Sequence, residues 1–201
     1  DMSRCLALLT NSGLLSGESD AFRPSLTRLR ITEPLLAFEH AVAWPHRPVL
    51  EQQDPGDIWR RARPVFDSAV MGPHFAQLCR EWVMDFAAPD TFGPHPVTAS
   101  YGSLPHPAHA FDAEVVVRAA PADGRPGALL SVGLARWDEV MDLPHLEQLR
   151  RLIALLAARG EDVSHIRPAC YSGTGFGPGL RAAEAQGDVV LVDPERLYRG
   201  R

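Results

Sequence analysis

Between Phe111 and Gly160 the hydrophobic period of this 201-residue chain changes from two to 3.6, and that change restricts what the chain can fold into. Phe111-Asp-Ala-Glu-Val-Val-Val-Arg118 alternates apolar and acidic residues before a β-branched run. It predicts a half-buried strand with Asp112 and Glu114 on one face. The Pro/Gly-rich turn from Pro121 to Gly127 leads to a second apolar run, Ala128 to Ala135, ending in Arg136-Trp137, so the pair predicts a hairpin. Asp142-Leu-Pro-His then opens a helix with a capping residue and an early proline. Leu146, Leu149, Leu152, Ile153 and Leu156 recur at helical spacing until Gly160 stops it.

The remaining segments arrange themselves around this unit. Pro73 to Phe86 predicts a helix with Phe75, Leu78, Cys79, Trp82, Val83 and Phe86 as its core stripe, followed by a loop from Pro89 to Pro96 and a short strand from Val97 to Tyr101. Ile166 to Tyr171 and Asp188 to Asp193 are apolar enough for buried strands. The expected fold class is therefore α/β: a mixed sheet from strands near Val97, Glu114, Leu130, Ala169 and Leu191, flanked by the helices at Phe75–Phe86 and Leu146–Ala158. Near the N-terminus, Met2 to Leu9 predicts a helix, and Leu14-Leu15 and Leu29 to Ile31 predict short strands with Ser16 to Pro24 as the tip between them. A further helix from Glu33-Pro34 should end at Trp44-Pro45. The chain opens at Asp1 directly in helix-like sequence, which reads as the tail of something longer.

Composition excludes several chemistries. All 20 basic residues are arginine, so no P-loop lysine and no lysine-dependent step can come from this chain. The net charge of −5 gives no general attraction to nucleic acid; residues 23–63 hold seven Arg against five acids, so any basic surface is local. Cys5, Cys79 and Cys170 are far apart in apolar contexts, which predicts buried free thiols in a reducing cytoplasm. No apolar run approaches the ~18 residues of a membrane span. His106 and His109 share a proline-bearing loop and the other histidines are scattered, so no Cys/His spacing matches a zinc site. The glycine-rich Ser172 to Gly179 stands where an anion cradle would, between strand and helix, but lacks the Rossmann spacing and reads better as a tight turn. Asp112 and Glu114 remain the best candidates for chemistry.

Leu29-Arg-Ile-Thr-Glu-Pro-Leu-Leu-Ala-Phe38, Met71-Gly-Pro-His-Phe-Ala-Gln-Leu-Cys-Arg-Glu-Trp82, Gly133-Leu-Ala-Arg-Trp137 and Cys170-Tyr-Ser-Gly-Thr-Gly-Phe176 together resemble the C-terminal region of the archaeal-type DEXX-box ATPases. The resemblance implies a partial winged-helix unit with a linking helix over residues 1–50 and a restriction-endonuclease-like domain over residues 51–201. It also implies a P-loop ATPase module elsewhere in the parent protein, which would be the partner of this region and would hold ATP and Mg²⁺; DNA is the second candidate partner. Carried over position by position, the family's nuclease pattern is degenerate here. Ala76 stands at a helix glutamate, Glu114 at the strand aspartate with Asp112 two residues earlier, Leu134 at a strand glutamate and Arg136 at the lysine. Such nucleases need clustered carboxylates for Mg²⁺ and a lysine to position water. Leucine offers no oxygen and arginine stays protonated. The expectation is a catalytically inactive, nuclease-like DNA-binding or regulatory domain, with a protein-docking domain and a Mg²⁺ nuclease acting through Asp112 and Glu114 as alternatives. Asp112, Glu114 and Arg136 should cluster with Leu134 beside them, and Arg136 could pair with Glu114 or face a phosphate.

Overall fold

The computed structural model of the chain describes residues 1–105, 110–122 and 126–200. The His106 to His109 loop and the middle of the Pro121 to Gly127 turn lie outside the described residues. Asp1 caps helix α1 (Met2–Asn11) by accepting the Ser3 N–H, and Gly13, at φ 75°, turns the chain into the antiparallel hairpin of β1 (Leu15–Ser19) and β2 (Thr27–Ile31). Both strands reach further toward the tip than the apolar residues alone predict. The extension is polar: Glu18 sits opposite Arg28 and pairs with both Arg28 and Arg30. Hydrophobic periodicity does not register strands held by charge. Helix α2 (Pro34–Phe38) does not stop at Trp44-Pro45 as expected, but continues through a π-helical turn, Glu39–Ala43, into α3 (Trp44–His46). Pro45 lies inside this continuous helical run, where it has no N–H to give to the preceding turn, and the π-helical turn stands directly before it.

After α4 (Pro55–Phe66), capped by Asp54, a second π-helical turn, Asp67–Met71, leads into α5 (Gly72–Asp85). Phe75, Cys79, Trp82 and Val83 of α5 are buried as the stripe requires, whereas Leu78 and Phe86 are exposed and Ala76 and Arg80 are buried in their place. The buried arc is thus rotated toward the 76/80 side, because Arg80 has a partner inside. The expected loop after it holds a helical turn, α6 (Pro89–Phe92).

Five strands form the main sheet in the order β3 (Val97–Leu104), β4 (Phe111–Ala119), β5 (Leu129–Arg136), β6 (Arg167–Ser172) and β7 (Val190–Val192). The first three are antiparallel neighbours and the last three parallel, so the sheet is mixed. Helices α7 (Leu143–Ala158) and α8 (Pro178–Ala185) make the two crossovers that parallel strands need, and α9 (Pro194–Arg199) closes the described chain. Leu146, Leu149, Leu152 and Leu156 of α7 bury one face of the sheet over Val116, Val132, Leu134 and Leu191. Phe75, Cys79, Trp82 and Val83 of α5 cover the other over Val115, Val117, Ala169 and Tyr171. Cys79 and Cys170 are buried as expected, but Cys5 is exposed, because α1 has no buried residue at all. Among the described residues no helix is long and apolar enough to cross a membrane.

Candidate functional site

Strand β4 is irregular where its acidic residues lie. Ser100 pairs with Val116 and Gly102 with Ala113, so two steps along β3 match three along β4, and the extra residue is a bulge at Glu114 and Val115. Phe111 and Ala113 join the α7-side core, which turns Asp112 and Glu114 toward the α5 side; after the bulge Val115 stays on that side and Val116 returns to the first. The ladder between β4 and β5 ends at Val115 opposite Gly133, and beyond it the strands part.

Glu114 occupies the gap. Its Oε2 accepts the backbone N–H of Ala135 at 3.1 Å, a donor that the parted ladder leaves without a strand partner. Its Oε1 lies 2.9 Å from Nη1 of Arg136, which also donates to the Ala135 carbonyl at 2.9 Å. Both side chains are only about a quarter exposed, at 28% and 27%. The pair is a charge-assisted clasp across the split between strands. Asp112 is exposed opposite Ser103, beside a cleft of about 310 Å³ lined by Arg23, Arg28, Tyr101, Ser103 and Glu114. It has no ion-pair partner among the described residues.

The other two positions of the degenerate pattern lie in the packed interior. Ala76, 4% exposed, packs in the α5-side core, and Leu134, 0% exposed, in the α7-side core. The sheet separates them, so Leu134 belongs to the hydrophobic packing rather than to the cleft that Asp112 and Glu114 share. Among the described residues no group of three or more His, Cys, Asp and Glu side chains is placed to hold a metal ion. A Mg²⁺ ion demands near-octahedral oxygen coordination, and here one of the two carboxylates is already engaged by a guanidinium and a backbone N–H. The donor set does not fit the ion.

Sequence reasoning missed the residue that supports this site. Arg80 of α5 is 3% exposed and donates through Nη1 to the carbonyl of Glu114 at 2.7 Å, and through Nη2 to Glu18 of the hairpin at 3.1 Å and to Gln77 at 2.8 Å. One guanidinium thus holds the bulge of β4 and the N-terminal hairpin together. Burial would raise the Glu18 carboxyl, but Arg80, Arg30 and Arg28 outweigh it and hold the group below the ordinary carboxylate range. Burial also lowers Arg80, partly offset by Glu18. The sequence carried no signal for it, because the predicted stripe runs through Leu78 and Phe86, and the burial of Ala76 and Arg80 on one arc emerges only in the folded chain. The hairpin is fastened further by Asp20, 1% exposed, which accepts the N–H groups of Phe22, Arg23 and Ser103, and by the Ala21 N–H donated to the Tyr101 carbonyl. Arg28 lies over the Tyr101 ring, 4.0 Å from its centre.

The glycine-rich turn after β6 already contains its anion. Oδ1 of Asp142 accepts the N–H of Leu143 at the start of α7 and of Leu180 in the first turn of α8, at 2.9 and 3.1 Å. A Cβ on Gly177 or Gly179 would lie 2.1 or 2.6 Å from that carboxylate, which is why glycine is needed at both. Ser172 Oγ accepts the N–H groups of Thr174 and Gly175. The turn is a structural junction between two helix starts. No family model, no curated protein and no solved structure matches this chain.

Proposed function

We propose that this chain is a nuclease-like domain without catalytic activity of its own, serving as the DNA-binding or regulatory module of a larger cytoplasmic P-loop ATPase. In this reading the mixed sheet with its α5 and α7 layers is a restriction-endonuclease-like fold, and α1 with the β1–β2 hairpin is part of a winged helix. ATP and Mg²⁺ belong to the ATPase module. The observation that carries the reading is the Glu114–Arg136 clasp, in which the carboxylate best placed for metal binding is tied to a permanent cation at 2.9 Å. A guanidinium cannot accept the proton of an attacking water, so the pair maintains a fold where a nuclease would carry out chemistry.

Arg23 and Arg28 line the cleft and, although paired with Asp20 and Glu18, keep 35% and 49% of their side chains exposed, which leaves guanidinium N–H groups for phosphates. The test is binding of duplex and single-stranded DNA over a range of salt, together with a cleavage assay in Mg²⁺ or Mn²⁺. Phosphate contacts release counterions, so the reading expects affinity that falls steeply with salt and DNA that stays intact. Cleavage that vanishes in Glu114→Ala would show a working nuclease instead.

A further inference from the structure

One edge of the main sheet stands open beside a cleft. Ala120 donates its N–H to the Pro96 carbonyl and Ala119 donates to Ala128 on the other side of β4, so by strand alternation Thr98 and Ser100 turn their backbone groups to β4 and Val97 and Ala99 turn theirs outward. The Tyr101 carbonyl, next in the outward set, accepts the Ala21 N–H at 2.8 Å. Phe22 packs on Gly102 beside this junction, where a Cβ would come within 2.5 Å of its ring. Short of the junction the outward groups of β3 have no backbone partner among the described residues. β1 reaches the same junction with Gly17 and Ser19 turned outward, because Thr32 donates to Leu14 and Asp20 to Leu26 on its β2 side. Both edges, through Ser16 to Ser19 and Thr98 to Ser100, line one cleft of about 1290 Å³, with Phe22, Met84 and Leu129 among its apolar lining.

We propose that this cleft receives an extended segment of a partner protein, which adds as a strand to the free edge of β3 and sets a basic side chain against Asp162. Three observations select that occupant. First, an edge that offers N–H and C=O at every second residue is complementary to another extended backbone, and here two such edges share one cleft. Second, the edge is unguarded. Val97 to Leu104 contains no charge and no proline, whereas β2 carries Arg28 and Arg30, and β7 at the other edge of the main sheet is three residues long. Third, the charges disfavour a phosphate backbone. Arg30 and Arg80 are tied to Glu18 and Arg118 to Glu161, while Asp162 is exposed with no ion-pair partner among the described residues. The β1–β2 hairpin stands beside the edge, so a single strand enters where the sheet of a second copy, with its own hairpin, would not. The inference is independent of the DNA-binding reading, which uses Arg23 and Arg28.

Fluorescence anisotropy on the whole chain tests it, with a labelled, end-capped peptide that alternates valine and threonine around one arginine. Binding in the hundred-micromolar range is expected, with hydrogen exchange slowed at the Ala99 and Gly17 amides. Ala99→Pro removes an outward N–H and no ladder bond, so it should weaken the peptide about tenfold and leave the urea midpoint of the chain near that of the wild type, because a free edge tolerates proline. Methylating the peptide N–H groups that face β3 should abolish binding, which makes the same test on unmodified protein. Replacing the peptide's arginine by glutamate should weaken it about threefold. No binding at millimolar peptide overturns the proposal, as does binding that neither Ala99→Pro nor methylation weakens. Val97 and Ala99 amides already protected in the free chain would assign the edge to this chain itself, and displacement of the peptide by single-stranded DNA would assign the cleft to nucleic acid. Either result overturns it too.

Discussion

Glu18 and Arg80 are 62 residues apart in the chain and 3.1 Å apart in space, and their contact joins the N-terminal hairpin to the helix that supports the bulge of β4. Because the same guanidinium holds the Glu114 carbonyl, the geometry of the candidate site depends on a residue that never faces the cleft.

Removing that guanidinium takes the buried donor from the Glu114 carbonyl and leaves Glu18 with Arg28 and Arg30 alone, cutting the tie between hairpin and α5. Arg80→Met is therefore expected to lower stability by about 3 kcal/mol, against less than about 0.5 kcal/mol for Arg28→Gln, whose side chain is half exposed. Urea unfolding of the two variants beside the wild type gives the comparison directly.

Glu18 also predicts an acid sensitivity. Its carboxyl is held below the ordinary value of 4.5 in the folded chain, so the unfolded chain binds the proton first as pH falls. The stabilisation is fully present above about pH 4.5 and is lost as pH falls through the lower, folded value. Urea midpoints measured from pH 7 to pH 3 should fall less steeply in Glu18→Gln than in the wild type. Parallel curves would mean that Glu18 is not the group responsible.

Asp142 caps two helices at once, so its loss should exceed that of an ordinary cap. Asp142→Ala is expected to cost about 2–3 kcal/mol, where one helix cap is typically worth about 1 kcal/mol. Gly177→Ala should be at least as damaging, because the added methyl meets the same carboxylate. Thermal midpoints of both variants decide the point.

Installing the nuclease pattern that the resemblance implies is predicted to fail for a packing reason. Leu134 lies wholly inside the α7-side core, so Leu134→Glu buries a carboxylate among leucines and should destabilise the chain by about 3 kcal/mol or more. The combined Ala76→Glu, Leu134→Glu, Arg136→Lys variant should therefore unfold more readily and leave plasmid DNA intact. A stable triple variant that binds Mg²⁺ in calorimetry would show that Leu134 can turn toward the cleft.

The three thiols should differ in reactivity. Burial pushes Cys170 up to about 12, with Arg136 opposing, and raises Cys79 further, whereas Cys5 is exposed. Native protein at pH 8 should be alkylated at one cysteine, and denatured protein at three. Mass spectrometry of the labelled chain counts them.

The order and type of the main elements were legible in the sequence because they follow from local patterning. The alternation from Phe111 to Arg118, the leucine spacing from Leu146 to Leu156 and the capping signal at Asp142 each depend on residues close in the chain. So did the candidates Asp112 and Glu114, whereas Arg136 became a candidate only through the family resemblance. What the tertiary structure alone decided was the direction in which each of them acts. An inserted residue in β4, visible only against the register of β3, sets the faces of Glu114 and Val115. The parting of β4 from β5 frees the Ala135 N–H that Glu114 takes. The charged extension of the β1–β2 hairpin and the buried Arg80 were illegible for the same reason. An arginine reads as exposed in any one-dimensional pattern, and only a carboxylate brought from 62 residues away makes its burial stable.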